Sequence, residues 1–168
     1  ACRYPFHTIE VGRGLDVGRR GHGNAGEADA AAAWGIPVEE YLDRADVWPL
    51  NPRGELMLGL KIENRRALSR AESSARVPGI AFAEWGPTDM SWSLGHVQAT
   101  APPYPGELLA ARARVMAAAK EAGLFFLNRA SLDDLAAMLG EGVKILDPRG
   151  DEEVARAGRA RTGRTMRV

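Results

Sequence analysis

The sequence predicts an α/β fold of parallel βα units, corresponding to the later part of a (β/α)8 TIM-type barrel. Three observations predict it. Short apolar runs alternate with segments of helical periodicity across brief connections, the pattern of parallel strands joined by crossover helices. Two of the runs, 56–60 and 79–83, each lead to a carboxylate at or just past the C-terminal end, Glu63 and Asp89. A parallel barrel builds its active site at that end of its strands. Finally, 168 residues hold four βα units and a leader, whereas a complete barrel takes about 250 residues.

The elements follow in order. Residues 1–33 form a Gly/Arg-rich and then Ala-rich leader. Its glycines at 12, 14, 18, 21, 23 and 26 disfavour a stable helix or strand before Ala28. Residues 34–168 form one barrel domain of βα units. Pro37 suits a first helical turn, so 37–47 is read as a helix. Asn51-Pro52-Arg53-Gly54 is a turn, 55–62 a strand, and a helix runs from 63 or 64 to 75. After Val77-Pro78-Gly79, residues 80–85 form a strand, and 86–95 a loop with room for one helical turn. A helix over 105–122 carries Ala, Leu and Met on one face. Then come a strand at 124–127, a helix at 131–139 begun by a capping-box-like Ser131/Asp134 pair, a strand at 142–146 and a last helix at 150–160. That makes four strands.

Bulk composition narrows the function. Lys+Arg and Asp+Glu both total 22, so the chain lacks the basic footprint of a nucleic-acid binder. Five arginines between 156 and 167 form a basic tail, read as a solvated terminus. Cys2 is the single cysteine, which fits a reducing, cytoplasmic setting. No apolar run approaches the roughly 20 residues that span a bilayer. The chain starts at Ala1 without a methionine, so an N-terminal segment is expected to be missing.

Alternation along a strand puts Met57, Gly59, Lys61 and Glu63 on one face and Leu58, Leu60 and Ile62 on the other. The apolar face should pack on helices and the mixed face should look into the lumen. Ile80, Phe82 and Glu84 share a face of the next strand. A charge there needs a partner, and a Lys61–Glu84 ion pair is expected. The competing role for Lys61, a Schiff-base nucleophile, is disfavoured because neighbouring carboxylates hold the amine charged. Glu63 and Asp89, converging with a small polar ligand and water, suit a hard divalent cation. Each has a structural rival, as a residue in a helical first turn or a cap. His96 is read as exposed or capping, Trp92 as packing, and Ser91 and Ser93 as lacking any triad.

Pro78-Gly79-Ile80 followed by Gly86-Pro87-x-Asp89-Met90-Ser91-x-Ser93-Leu94-Gly95 resembles the signature of the HpcH/HpaI aldolase family. Leu60-Lys61-Ile62-Glu63 looks like that family's strand ending in Gln-Ile-Glu, and Arg3-Tyr4-Pro5 with Gly12-Arg13-Gly14 looks like its Arg-Tyr-Pro loop. The resemblance implies a class II pyruvate aldolase on a phosphoenolpyruvate/pyruvate-type barrel, with this chain as its C-terminal half. It implies that Glu63 and Asp89 bind a divalent metal (Mg²⁺ or Mn²⁺, with Co²⁺ as an option). Gly86, Pro87, Thr88 and Asp89, with Lys61 beside them, would hold pyruvate, the amides of Thr88 and Asp89 taking its carboxylate. The implied reaction is reversible cleavage of a 2-keto-4-hydroxy acid to pyruvate and an aldehyde through a metal-stabilised enolate, in a homo-oligomer. Alternatives are a citrate-lyase β or malyl-CoA lyase-like enzyme, or a non-catalytic metal-binding barrel fragment acting in an assembly. The chain departs from the family at Lys61, which replaces Gln, and at Glu84 and Trp85, which replace smaller apolar residues. The family's general-base His and pyruvate-binding Arg come from strands before the Arg-Tyr-Pro loop, so neither maps onto this chain.

Overall fold

The computed structural model describes residues 26–148 and 150–163. The Arg-Tyr-Pro loop, Cys2, His7, His22 and the last arginines of the tail lie outside the described residues. Five strands are present among those described: β1 (Val47–Trp48), β2 (Leu56–Ile62), β3 (Ile80–Trp85), β4 (Phe125–Arg129) and β5 (Ile145–Asp147). They run in the order β1-β2-β3-β4-β5. The registered pairs are parallel, with Phe82 opposite Phe125 and Arg129 opposite Asp147. Sequential parallel strands separated by helices are the α/β arrangement expected of consecutive units of a TIM-type barrel.

The helices are α1 (Glu27–Trp34), α2 (Val38–Arg44), α3 (Arg65–Leu68), α4 (Ala71–Ala75), α5 (Pro87–Leu94), α6 (Gly106–Glu121), α7 (Leu135–Glu141) and α8 (Glu152–Thr162). Three expectations are corrected. The helix expected over 37–47 stops at Arg44, and its end is β1, a fifth strand. The helix expected over 64–75 is two short helices. Ser69 Oγ donates back to Arg66 C=O, the kind of local bond that competes with a continuing helix. The 86–95 segment is a helix of two turns, α5, rather than a loop. Pro87 opens it where a missing N–H costs nothing, and Gly95 at φ 89° closes it in the left-handed region. Helix α1 occupies the Ala-rich end of the 1–33 segment.

The chain divides into two compact units. The smaller takes the described residues up to Gly59 together with Arg76–Ala81. Trp34 meets Tyr41 edge-on at 5.3 Å, and Arg44 lies over the Trp34 ring. Arg44 also donates to Glu40 and, through two nitrogens, to Glu55. Asp46 and Asn51 are buried and hydrogen-bonded to each other.

The larger unit comprises Leu60–Ala75 and the chain from Phe82 onward. Its core is built by Ile62, Ala83, Trp85, Met90, Leu108, Val115, Phe126 and Val143. On α6 the buried residues fall at 108, 111, 115, 118 and 119, the three-and-four spacing of one helical face. Ile62 belongs to this core while Lys61 is exposed, as the alternation along β2 requires. Met90 is wholly buried, worth about 1.5–3 kcal/mol. That burial pins the helix that carries Asp89.

Candidate functional site

The site is built where β2 and β3 end, inside the larger unit. Gly86 N–H donates to Ile62 C=O at 3.1 Å, drawing the two strand ends together. The approach is close enough that a Cβ on Gly86 would sit 2.6 Å from Glu63 Oε2 and 2.7 Å from Glu63 Cβ. Only glycine fits there. The Glu63 side chain is thus pressed against the turn that leads, three residues later, to Asp89.

Helix α5 begins its hydrogen-bond ladder with Met90 N–H to Gly86 C=O. The amides of Thr88 and Asp89 therefore precede the ladder, at the positive end of the helix. This is the backbone arrangement that accepts an anion such as a carboxylate. Asp89 lies in that same first turn. Ser91 Oγ donates to Thr88 C=O, and Ser93 Oγ accepts from the Arg65 amide. Both serines hold α5 in place. His96 pairs with Glu107 at 2.8 Å, consistent with a structural role.

The expected Lys61–Glu84 pair is replaced by another. Lys61 Nζ stands 3.3 Å from Glu63 Oε2, because Gly86 lets the Glu63 side chain lie beside the Lys61 stem. The contact is electrostatic: Glu63 Oε2 is buried and accepts no hydrogen bond. The adjacent Glu63 carboxylate, by contact and by charge, raises the Lys61 ammonium above the ordinary lysine range. Glu84 and Asp89 add to this by charge, and partial burial opposes it. That direction favours the charged amine, a poor nucleophile. Glu84 has its carboxyl raised, first by burial, with Lys61 opposing and Asp147 and Glu63 adding repulsion. Asp147 at the end of β5 and Arg129 at the end of β4 were not singled out in the sequence. They complete a charged set at the C-terminal ends of the strands.

A buried carboxylate oxygen without a donor is costly. Lys61 meets part of that cost, and a cation would meet more of it. Hard divalent cations take carboxylate oxygens and water, so the chemistry of Glu63 with Asp89 fits one. Among the described residues no group of three or more His, Cys, Asp or Glu side chains is gathered to hold a metal. Among the described residues no helix is long and apolar enough to cross a membrane.

Beside this set, Glu84, Trp85, Asn128 and Arg129 open onto a cavity of about 420 Å³ that Thr100, Ala101, Pro102 and Tyr104 also line. Asn128 Oδ1 accepts from both Trp85 Nε1 and Arg112 Nε, each at 3.1 Å. Arg112 reaches on to Glu141 at 2.6 Å. The expected strand at 124–127 stopped short of Asn128 and Arg129, so this wall was missed. Its signal was a polar pair ending the apolar run Phe125-Phe126-Leu127.

Parallel βα units with charge gathered at the strand ends define an α/β-barrel protein of the kind that does its chemistry there. The model of the HpcH/HpaI aldolase/citrate lyase family matches residues 11–148, and the chain belongs to that family. An HpcH/HpaI aldolase/citrate lyase family protein from Burkholderia cenocepacia J2315 is similar in structure, with TM-score 0.57 and 27% identity over 87% of this chain and 52% of that one. An HpcH/HpaI aldolase from Desulfitobacterium hafniense DCB-2 gives TM-score 0.54 at 20% identity, over 95% of this chain and 59% of that one. The citrate synthase SbnG gives 0.52 at 18%, over 74% and 57%. The last two are likenesses of fold. The chain spans between 52% and 59% of these three structures. No curated protein matches the sequence.

Proposed function

We propose that this chain contributes the divalent-cation and 2-keto-acid site of a pyruvate aldolase. The observation that carries the reading is Glu63 Oε2: buried, without a hydrogen bond, and pressed on Gly86 of the aldolase-like Gly-Pro-x-Asp turn. Glu63 and Asp89 would hold Mg²⁺ or Mn²⁺. Bound there, the cation would supply Lewis-acid polarisation of a 2-keto acid's oxygens.

The chain's own residues do the rest of what it offers. The Thr88 and Asp89 amides orient the substrate carboxylate at the head of α5. Met90, buried beneath them, keeps that helix from shifting. Lys61 holds its proton and places a positive charge beside Glu63, limiting the negative charge of the site before a cation arrives. The reaction assigned is reversible aldol cleavage of a 2-keto-4-hydroxy acid to pyruvate and an aldehyde. Family membership supports the lyase class.

Two measurements on the chain test this. Titration with Mn²⁺ followed by electron paramagnetic resonance should show one site that Glu63→Gln and Asp89→Asn each weaken at least about tenfold, the loss of one charged ligand. Exchange of pyruvate methyl protons with deuterated water, followed by NMR, should need added Mg²⁺ or Mn²⁺ and stop with chelator. Wild-type affinity in both variants would sink the site assignment.

A further inference from the structure

The cavity at the ends of β3 and β4 is built differently from the turn that faces pyruvate in this reading. Its acidic groups are mostly spent. Asp134 Oδ1 accepts from the Ser131 amide, and Glu141 is paired with Arg112. Burial pushes the third, Glu84, towards its neutral form, with the charges of Lys61 and Arg129 opposing. Arg112 is committed as well, to Asn128 and Glu141, and stands over the Phe126 ring. Arg129 is different. Among the described residues its guanidinium forms no hydrogen bond or ion pair, and only its backbone carbonyl accepts, from Asn128 Nδ2 at 2.7 Å. That bond fixes the backbone from which the side chain extends along the cavity wall.

The remaining walls are mostly apolar. Tyr104 stands edge-on to Trp85, with ring centroids 5.4 Å apart, and Pro87, Pro102, Leu109 and Met138 line the cavity with them, beside Thr100. Aromatic faces, a proline ring and a thioether suit a planar ring as a guest. At about 420 Å³ the space has the size of a small-molecule site, well beyond what a three-carbon aldehyde fills.

We propose that this cavity binds an aromatic ring carrying a carboxylate, with Arg129 receiving the carboxylate and Tyr104, Leu109 and Met138 enclosing the ring. The ligand's role as the aldehyde acceptor rests on the aldolase reading; its binding does not. In that role the pyruvate methyl carbon bonds to the aldehyde carbon, the methyl group gives up a proton and the aldehyde oxygen gains one. Nothing is oxidised or reduced. Arg129 acts here as a specificity-determining residue.

The probe is 4-methylbenzoate, with 4-methylbenzamide as its uncharged counterpart, both followed by ligand-detected NMR on the whole chain. The acid should bind about tenfold more tightly than the amide, the strength of one charge-assisted contact. Arg129→Gln should erase that preference while leaving amide binding in place. Leu109→Trp, at a half-exposed position on α6, should fill the cavity and weaken both probes. Equal binding of acid and amide, a preference that survives Arg129→Gln, or no binding of either probe by the folded chain would each overturn the proposal. Mn²⁺ titration separates the two readings. A Mn²⁺ site that Glu63→Gln removes, without probe binding, keeps the cation site and overturns the cavity assignment. Probe binding without such a site keeps the cavity and overturns the aldolase reading.

Discussion

The carboxylates of Glu55 and Glu63 each face a cation, and the chain treats them in opposite ways. Glu55 meets Arg44 through two hydrogen bonds of 2.7 and 3.1 Å at an exposed position, and Glu40 adds a third bond to the same guanidinium. Arg44 holds the Glu55 carboxyl below its usual range, and the two glutamates raise the arginine in return. Nothing is left over. Glu63 meets Lys61 at 3.3 Å with one oxygen buried and no hydrogen bond to it. An arrangement that only had to be stable would have used the first solution twice. The second leaves coordinating capacity unspent, the condition for binding something else.

Breaking the contrast should have its largest effect at Gly86. Gly86→Ala drives a Cβ into Glu63, so overpacking should cost about 1–3 kcal/mol. It should also displace the carboxylate and lower Mn²⁺ affinity. Urea unfolding and cation titration together test this; a variant with wild-type values in both would show that Glu63 is free to move away. A middle-sized effect is expected at Lys61. The ammonium and a divalent cation compete for the same buried oxygen, so Lys61→Gln should raise Mn²⁺ affinity up to about tenfold, equivalent to one pKa unit of interaction. Unchanged or weaker binding would mean that Lys61 assists the cation instead. The smallest effect belongs to the fully paired cluster. Glu55→Gln should leave cation affinity untouched and shift the melting temperature slightly, less at high salt, as exposed pairs do. A large, salt-independent shift would contradict its placement as a surface pair.

Much of the fold was legible because periodicity carries it. The strand over 80–85 and the long helix α6 lie where alternation and three-and-four spacing put them. Helix α5 was harder to read. Thr88, Ser91 and Ser93 favour turns as readily as helix, and burial of Met90 and Ser91 settles the matter. The Lys61 partner was not legible at all. Alternation puts Lys61, Glu63 and Glu84 on inward faces, but the choice between the two glutamates depends on how closely the Gly86 backbone approaches Glu63. That is a tertiary distance with no local signal. The cavity wall at Asn128 and Arg129 was hidden for a related reason: two polar residues ending an apolar run read equally well as the start of a turn.

Position 86 also limits how this protein can change. Every amino acid reachable from a glycine codon by one base substitution carries a Cβ, and every Cβ at this place meets Glu63. No small first step is open at that residue. A lineage that altered it would have to move the end of β2 or give up the glutamate in the same stroke, whereas Lys61, exposed on one side, can drift one substitution at a time.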